Sequence, residues 1–456
     1  MKILFCLFLL IISLPLFSLN ADDYWSNWHG PANGTACFTS GAPGASIVLS
    51  KTLDLTSLYG FSGLGSGILL RADNKTLYLK ENRDYFAAPH ILRGIDPYSG
   101  NTLWSSGKSA LEDMSNPRGF QLFNDPRGHL SLHVPVYYEG YWNVYNLKTS
   151  AEEYLVSGSH ACLGSRIIMD KWAWRNTQTT STGGGMTWSH TGRLQYWNGA
   201  QYINTTLDPF QLIDHAWDNG RAVIFALKGY SYGALNASDT NAKEWQSARF
   251  MVLDSSGKVL SDTPVTDIHV PVSGCCCYFE GSMGGTADTA DILMKLAVHG
   301  DYVYAIEHST YEEKQLVRRS ISGGFRKTDS IILGTDPLLS NLSYSISGNT
   351  LFLQGTDTLT AFSLDFKTIK WKQAIPHRTL YHIFVQGLTR VMSNGLKNRN
   401  LHSLATDANN VYSVSDSFLI VFNNSDGTEL LRHRFTDIPN GGTAGSIILM
   451  PDFVAV

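Results

Sequence analysis

Short stretches of alternating apolar and polar residues recur along this chain, and each is followed by a polar tight turn and a second alternating stretch. The clearest copy is residues 94–104, Gly-Ile-Asp-Pro-Tyr-Ser-Gly-Asn-Thr-Leu-Trp. Alternation with a period of two residues is typical of a β-strand with one face towards a core. Five further copies begin at Val144, Leu194, Met251, Ala361 and Ile420. The pattern therefore predicts a protein built from repeated β-hairpins.

The copies are nearly evenly spaced. A shared turn position falls at residues 100, 149, 199, 257, 368 and 427, so that four of the five steps lie between 49 and 59 residues and one is 111. Because the long step is about twice the others, we expect a degenerate copy near residue 312, where residues 302–306 and 315–317 alternate. This copy brings the number of repeat units to seven.

A second hairpin signal precedes the closing turn in several units. Residues 218–220, Asp-Asn-Gly, precede a run of β-forming residues at 222–225, and residues 347–349, Ser-Gly-Asn, precede another at 351–353. Two hairpins per unit give four antiparallel strands. We therefore expect an all-β, seven- or eight-bladed β-propeller of four-stranded antiparallel blades. A pair of β-sandwiches is the rival architecture, but a sandwich requires no repeat period.

Two apolar stretches outside the seven units, residues 46–50 and 446–450, also predict strands. A propeller ring has to close, since a free edge strand pairs with other chains. The two stretches together would complete an eighth blade, or one of them would extend the seventh, and both possibilities stay open. We expect residues 46–456 to form one propeller domain, after an N-terminal extension at residues 22–45.

Residues 1–21 have the form of a secretory signal peptide. Lys2 precedes an apolar run from Ile3 to Phe17, and small residues follow it. A bilayer span needs roughly 20 apolar residues, so the run favours a cleaved signal over a retained anchor. We therefore expect a secreted or extracellular protein, or a periplasmic or lumenal one in another host, with no membrane span. Such compartments permit disulfides and, in a eukaryote, N-glycosylation.

Sequons and cysteines agree with export. The candidate N-glycosylation sites are Asn33, Asn74, Asn204, Asn236, Asn341 and Asn423. The candidate disulfide residues are Cys37, Cys162, Cys275, Cys276 and Cys277. Because this count is odd, at least one thiol stays unpaired or bonds another chain. The connectivity is open, since adjacent cysteines pair only in a strained ring.

Charge and short motifs exclude several classes of function. The net charge is −4, charged residues make up 16 % of the chain, and neither sign runs in blocks. This composition argues against a nucleic-acid surface or a membrane-binding stripe. The sequence has no nucleophile elbow, phosphate-binding Walker loop or zinc-protease helix motif. It therefore gives no catalytic residue and no metal ligand that we can name.

The copy at residues 95–104 resembles the repeat of the pyrroloquinoline-quinone (PQQ) propeller family, an Ala-x-Asp…Thr-Gly-x-x-x-Trp pattern. Residues 25–34, Trp-Ser-Asn-Trp-His-Gly-Pro-Ala-Asn-Gly, resemble the Trp-x-x-Trp-Arg-Gly-Pro-x-x-Asn-Gly opening of secreted PQQ-like proteins. The resemblance implies that the closing tryptophans, Trp104 and Trp371, dock each blade against its neighbour. Two other copies have Leu260 and Leu430 near the tryptophan position.

The resemblance also implies an alternative function. Enzymes of this family bind PQQ with calcium, use an aspartate base and, in one group, stack the quinone on a vicinal disulfide, which residues 275–277 could supply. No acid here has a spacing that identifies a calcium cage, and no Cys-x-x-Cys-His haem motif occurs. We therefore expect a binding or scaffold protein without a cofactor. A PQQ- and calcium-dependent dehydrogenase is the alternative.

Loops on the blade faces are the expected binding sites, because rigid strands position variable connections. The candidate loops are residues 178–190, 261–291 and 377–400. The last of these contains His377, Arg378, Tyr381, His382, Arg390, Lys397 and Arg399. We expect a protein or glycan partner on one such face, and no nucleic acid.

Overall fold

A computed structural model of the chain describes residues 34–38, 44, 68–73, 75–81, 91–105, 121–124, 130–135, 141–146, 151–157, 166–169, 171–176, 192–228, 247–268, 293–309, 313–334, 343–376, 403–415, 418–435, 447–450 and 453–456. Over these residues the chain forms 30 β-strands, which belong to seven four-stranded sheets and one two-stranded sheet. The signal segment, and the candidate strand at residues 46–50, lie outside the described residues.

The strands have the following bounds. Blade 1 contains β1 (Ile68–Asp73), β2 (Thr76–Glu81), β3 (Ile91–Ile95) and β4 (Thr102–Ser105). Blade 2 contains β5 (Gln121–Asn124), β6 (Leu130–Pro135), β7 (Tyr141–Asn146) and β8 (Ala151–Ser157). Blade 3 contains β9 (Arg166–Met169), β10 (Trp172–Asn176), β11 (Gly192–Trp197) and β12 (Tyr202–Asn204). Blade 4 contains β13 (Gln211–Asp218), β14 (Arg221–Lys228), β15 (Ser247–Asp254) and β16 (Val259–Val265).

Blade 5 contains β17 (Leu293–His299), β18 (Tyr302–His308), β19 (Lys314–Ser320) and β20 (Arg326–Gly334). Blade 6 contains β21 (Ser343–Ser347), β22 (Thr350–Gln354), β23 (Thr358–Ser363) and β24 (Ile369–Ala374). Blade 7 contains β25 (Leu404–Thr406), β26 (Asn410–Ser415), β27 (Phe418–Asn423) and β28 (Glu429–Arg434). The C-terminal hairpin contains β29 (Ile448–Leu449) and β30 (Val454–Ala455).

Every blade is a simple antiparallel meander, in which each strand pairs with the next one along the chain. The first strands of successive blades are neighbours, as in the contacts of β13 with β17 and of β21 with β25. This is the arrangement of a β-propeller, in which the first strand of each blade is nearest the axis. The prediction of an all-β propeller with four-stranded antiparallel blades is confirmed, and the rival β-sandwich is wrong.

The two faces of a blade are both apolar, because each blade packs between two others. On β14, Ala222, Ile224 and Ala226 belong to a core shared with blade 3. The alternate residues Val223, Phe225 and Leu227 belong to a core shared with blade 5. Because side chains alternate with a period of two residues, half of those on β14 pack against blade 3 and the other half pack against blade 5. The stacking of blades, rather than any single sheet, buries the hydrophobic surface.

The C-terminal hairpin lies between the last blade and the first. Ile448 and Leu449 are buried in a core with Leu419 and Val421 of blade 7, and this core also contains Leu77 of blade 1. In addition, the rings of Tyr98 in blade 1 and Phe453 beside β30 make an edge contact, with centroids 6.2 Å apart. The hairpin therefore joins the two ends of the row of blades.

In the closing turns of the repeat, a side-chain oxygen of the first residue accepts hydrogen bonds from backbone N–H groups of the residues that follow. In blade 4, Oδ1 of Asp254 accepts hydrogen bonds from the backbone N–H groups of Ser256 and Lys258, at 2.9 and 2.8 Å. Gly257 completes this turn with a φ of +99°, a conformation that suits glycine. In blade 7, Asn423 takes the place of the aspartate and accepts from the N–H of Ser425 at 2.8 Å. The aspartate of the repeat is therefore a turn-forming residue.

The fifth unit lies where the spacing of the repeats predicts it, but its closing turn is displaced. Residue 312 falls between β18 and β19, whereas the closing turn, between β19 and β20, is residues 321–325. Here Asp301, in the turn directly before β18, accepts a hydrogen bond from the Ser322 hydroxyl at 2.5 Å. This turn has a different stabilising residue, so its sequence departs from the repeat.

The outermost pair of strands contains a β-bulge in six of the seven blades. In blade 7, Phe422 pairs with Glu429 and Val421 pairs with Leu431, so that Leu430 is the extra residue. Leu260 is the extra residue of blade 4 in the same way, and both leucines are about half exposed, at 50 % and 41 %. Leu260 and Leu430, which lie near the tryptophan position in the sequence repeat, are therefore the bulge residues directly before it, and Ser261 and Leu431 occupy the position itself.

The turn carboxylates predict a loss of stability in acid. Hydrogen bonds from the backbone of Lys258 and the hydroxyl of Ser256 lower the pKa of Asp254 from its ordinary value of 3.8. A folded-state pKa below the unfolded value means that the stabilisation is present above pH 3.8 and is lost as the pH falls through the folded value. We expect Asp254→Asn to lower the thermal midpoint at pH 7 and to match the wild type in strong acid.

The measurement is thermal unfolding followed by circular dichroism between pH 2 and pH 7. Asn423→Asp is the reverse control, since it introduces a carboxylate into the equivalent turn of blade 7 and should add acid sensitivity. A deficit of Asp254→Asn that stays constant across this pH range would contradict the prediction.

Candidate functional site at the hub

The innermost strands β13, β17, β21 and β25 surround a polar region that we call the hub. Ser343, Ser345 and Ser347 alternate along β21, and their residues are all buried, with exposed fractions from 0 to 6 %. Lys295 on β17 is fully buried, and Asp214 on β13 is 3 % exposed. A buried polar group is costly unless it has a partner, so these residues have to be understood through their contacts.

Lys295 links blade 5 to blade 6. Its Nζ donates a hydrogen bond to Oγ of Ser343 at 3.3 Å. The same Ser343 oxygen accepts from the hydroxyl of Ser403, next to β25, at 3.1 Å. Lys295 has a φ of +58° and lies within the bulge of β17, between Met294 and Ala297. The bulge directs this one lysine out of the regular alternation of its strand.

Asp214 on β13 and Tyr344 on β21 form further hydrogen bonds to β17. Oδ2 of Asp214 accepts from the backbone N–H of Leu296 at 3.1 Å. The hydroxyl of Tyr344 donates to the carbonyl oxygen of Lys295 and lies 3.1 Å from that of Tyr304. Burial, and secondly the charge of Asp214, raise the pKa of Tyr344 well above its usual range. Tyr344 is therefore a permanent donor across the joint between blades 5 and 6.

The N-terminal segment Gly34–Phe38, which we call the strap, enters the hub between β21 and β25. On one side, the N–H of Ile346 donates to the Thr35 carbonyl at 2.8 Å. On the other side, the N–H of Phe38 donates to the carbonyl of Thr406 at 2.8 Å, and the N–H of Thr406 donates to that of Ala36 at 3.0 Å. The strap therefore runs parallel to β25 and hydrogen-bonds two blades at once.

A second cluster fastens the chain just beyond the strap. The backbone N–H of Gly44 donates to the hydroxyl of Tyr412 at 2.8 Å, and this hydroxyl donates to Oδ2 of Asp407 at 2.7 Å. Burial, and then the hydrogen bond to Asp407, raise the pKa of Tyr412 far above its usual range. Oδ1 of Asp407 also accepts from the backbone N–H groups of Asn409 and Asn410, both at 2.7 Å.

The joints between blades use aromatic rings that cover a glycine of the next blade. Trp371 of blade 6 lies over Gly427, the turn glycine of blade 7, so closely that a Cβ on Gly427 would lie 2.7 Å from the ring. Nε1 of Trp371 donates to the carbonyl of Asn424 in the same turn at 2.9 Å. The tryptophan therefore seals the joint through packing and one hydrogen bond.

In blade 3 two residues share this role. The ring of Tyr196 covers Gly257 of blade 4, at 2.8 Å from an added Cβ. Trp172, one strand further in, donates from Nε1 to the carbonyl of Asp254 at 2.7 Å. The sequence repeat does not identify either residue, because the ring and the donor come from different strands.

The described residues include five of the candidate site residues. Trp104 is half-buried and lies opposite Gly94 in blade 1. Cys37 is buried in the strap, 5 % exposed. Asn204 is exposed at the end of β12, and its Oδ1 accepts from Nε2 of Gln195 at 2.9 Å. Asn423 and Trp371 have been described above. The candidates that lie outside the described residues are Asn33, Asn74, Asn236, Asn341, Cys162, Cys275, Cys276 and Cys277. Disulfide pairing and glycosylation stay predictions.

The described hub does not fit a calcium and quinone site. Calcium requires six to eight oxygen ligands, usually with several carboxylates. The two acids near the described hub, Asp214 and Asp407, are both engaged with backbone N–H groups of their own scaffold. Within the described residues, no three His, Cys, Asp or Glu side chains come together in a way that could hold a metal ion. We derive no step through such a group.

Comparison with known proteins shows the fold. No protein-family model matches the sequence, and no curated protein matches it. The chain is similar in structure to the quinohemoprotein alcohol dehydrogenase from Comamonas testosteroni, with a TM-score of 0.51, 10 % identity, and coverage of 95 % of this chain and 76 % of that one. A quinohemoprotein alcohol dehydrogenase from Pseudomonas putida HK5 matches with a TM-score of 0.44, 8 % identity, and coverage of 91 % and 72 %.

No helix among the described residues has the length and apolar character needed to cross a bilayer.

Proposed function

We propose that this chain, whose fold is that of the PQQ-like β-propellers, is a secreted binding or scaffold protein that recognises a protein or glycan on one loop face. The observation that supports this proposal best is the hub itself. Its described part is filled by the strap and by side chains that hydrogen-bond to one another. Recognition then falls to the loops that connect the strands.

The use of acidic residues supports a role without catalysis. The buried carboxylates of the described residues are Asp214, Glu307 and Asp407. Asp214 and Asp407 accept hydrogen bonds from backbone N–H groups, and Glu307 is paired with Arg319. Each carboxylate therefore has a structural partner. A catalytic acid or base, by contrast, has to be positioned towards a reacting group.

The most distinctive candidate loop is residues 377–400. It contains four Lys or Arg residues and two His residues but no Asp or Glu, in a chain whose net charge is −4. A local excess of positive charge favours an acidic partner, because opposite charges across an interface raise the association rate and the specificity. We infer that the partner is an acidic glycan or an acidic protein surface.

We also infer that the ring has eight blade positions. Seven are the four-stranded blades, and the C-terminal hairpin lies at the eighth, between blade 7 and blade 1. The hairpin supplies two strands, and residues 46–50 would supply a further strand from the other end of the chain. Joining the first and last segments in one blade closes a ring without free edges.

Secretion, and glycosylation at exposed sequons such as Asn204, belong to the same proposal as the binding function.

The test is a binding screen of the full chain, expressed with its own N-terminus in a eukaryotic secretory host. The medium is assayed for the protein, and the purified protein is applied to arrays of sulfated, carboxylated and neutral glycans and of acidic proteins. Arg390→Ala with Arg399→Ala should weaken binding of the acidic ligand at least tenfold. Arg326→Ala with Lys372→Ala is the matched control, since both residues are exposed on outermost strands. Equal binding by both variants would contradict the loop assignment.

The alternative function, that of a PQQ-dependent dehydrogenase, is tested with the same purified protein. Adding PQQ and calcium to the purified protein would produce a quinone absorbance band and a thermal shift if the cofactor binds. Those signals, with oxidation of an alcohol by an added dye, would replace the binding proposal.

A further inference from the structure

The strap has the geometry of a peptide in a binding slot. It is bonded through its backbone to β21 on one side and β25 on the other. The neighbouring inner strands β21 and β25 belong to different sheets. Side chains join them directly, as in the 2.7 Å hydrogen bond between the hydroxyls of Ser345 and Thr406, and the strap supplies backbone hydrogen bonds to both. This arrangement is strand addition, in which backbone hydrogen bonds give affinity and small pockets select side chains.

Side chains along the strap are selected by close contacts. Gly34 has a φ of +70°, and a Cβ on this residue would lie 2.2 Å from the carbonyl oxygen of Leu296, next to Lys295. Phe38, at the other end, is fully buried in the core beside the C-terminal hairpin. Between them, the hydroxyl of Ser345 lies 3.0 Å from the Thr35 carbonyl and 3.1 Å from that of Ala36. The slot therefore requires a glycine at the position of Gly34 and an apolar residue at the position of Phe38.

We propose that the strap is a removable cover over the hub, and that the slot beneath it is a binding site for an extended peptide which the chain occupies with its own N-terminal segment. The strap belongs to no blade, and its backbone contacts are with β21 and β25 rather than with the strand pairs inside a blade. Releasing it exposes the N–H groups of Ile346 and Thr406 without breaking a blade. Leu296, which follows Lys295 on β17, contacts the first residue of the strap, Gly34.

The experiment uses the full chain with a specific protease site placed at residues 39–43, so that the folded protein can be cut once after the strap. A fluorescent peptide of residues 31–40, with Cys37→Ser to prevent disulfide exchange, is then added. The cut protein should bind this peptide, whereas the uncut protein should not. The same peptide with Gly34→Ala should bind at least tenfold more weakly, because its Cβ meets a backbone oxygen. Hydrogen exchange at Ile346 and Thr406 should be slow in the uncut protein, fast after cutting, and slow again with peptide.

Three results would overturn the proposal. If the cut chain unfolds, the segment is part of the core and not a cover. If the cut chain stays folded but neither exchanges the peptide nor loses protection at Ile346 and Thr406, the strap is not removable. If the Gly34→Ala peptide binds as well as the parent peptide, the slot does not select the sequence that fills it. None of these results depends on the partner of the loop face, so this proposal and the proposed function are tested separately.

Discussion

Trp371→Ala should lower the free energy of unfolding by about 3–5 kcal/mol, the range typical of a large aromatic residue removed from a core. The indole is 7 % exposed and packs between Phe352 of its own blade and Phe422 of blade 7, with ring centroids 5.6 and 6.3 Å away. Its loss would leave a cavity over Gly427 and an unpaired carbonyl at Asn424. Both effects weaken the joint between blades 6 and 7.

The measurement is urea unfolding followed by tryptophan fluorescence and circular dichroism. Trp197→Ala is a suitable control, since Trp197 is half-buried and its ring contact is with Tyr202 in the same blade. The control should lose much less stability. Gly427→Ala should also destabilise the protein, because its φ is +74° and its Cβ would meet the indole. In the Trp371→Ala background the steric part of that cost should disappear. Simple additivity of the two changes would contradict the docking geometry.

Arg319→Met should be comparably destabilising, by about 3–5 kcal/mol, because it leaves a buried charge without its partner. The guanidinium donates to both carboxylate oxygens of Glu307 at 2.8 Å, and both residues are 1 % exposed. It also donates to Asp267 at 2.9 Å and to the carbonyl of Phe325 at 3.0 Å. Asp267 is about half exposed, so in the variant water can donate to Asp267 in place of the guanidinium. Glu307 is buried and would lose its donor without replacement.

The pH dependence of this variant gives a sharper test. Burial raises the pKa of Glu307, and Arg319 opposes that shift. Without Arg319 the folded state therefore favours the protonated carboxyl. When the pKa of a carboxyl is higher in the folded state than in the unfolded state, its contribution to stability is fully present below the unfolded-state pKa. That contribution is lost as the pH rises through the folded-state pKa. We expect the deficit of Arg319→Met in urea unfolding to be larger at pH 8 than at pH 5.

Two control variants separate charge from packing. Arg319→Met with Glu307→Leu removes both charges and should recover most of the lost stability. Arg432→Met disrupts an exposed pair with Glu429 and should cost less than about 1 kcal/mol. A double variant as unstable as the single one would show that the shape of the pair, and not its charge, stabilises this part of blade 5.

The repeated hairpins could be predicted from the sequence because each follows a local rule. Turn residues such as those at 218–220 and the alternation after them fix a hairpin within a dozen residues. The joints are harder, because they depend on which residues of different blades meet. Tyr196 and Trp172 together do what Trp371 does alone, and nothing local marks Tyr196 as the partner of Gly257.

Neither the strap nor the bulges can be predicted from local sequence, for related reasons. Residues 34–38 have no alternating pattern of their own, and their strand character comes from two strands more than 300 residues away. In six of the seven blades at least one extra residue shifts the register of the outermost pair of strands, and in blade 7 this shift puts Leu431 rather than Leu430 opposite Val421. The basic loop at 377–400 is visible in composition alone, and its candidate role rests on charge rather than on contacts.

The bulges on the outermost strands also bear on how molecules of this protein meet one another. A flat edge would present an uninterrupted row of amide and carbonyl groups, to which a strand of a second molecule could attach, as in fibre growth. In six of the seven blades an inserted residue breaks that row and increases its twist. In these six blades the backbone shape of the outer edge therefore opposes the addition of a strand from another molecule, even where leucines are exposed on it.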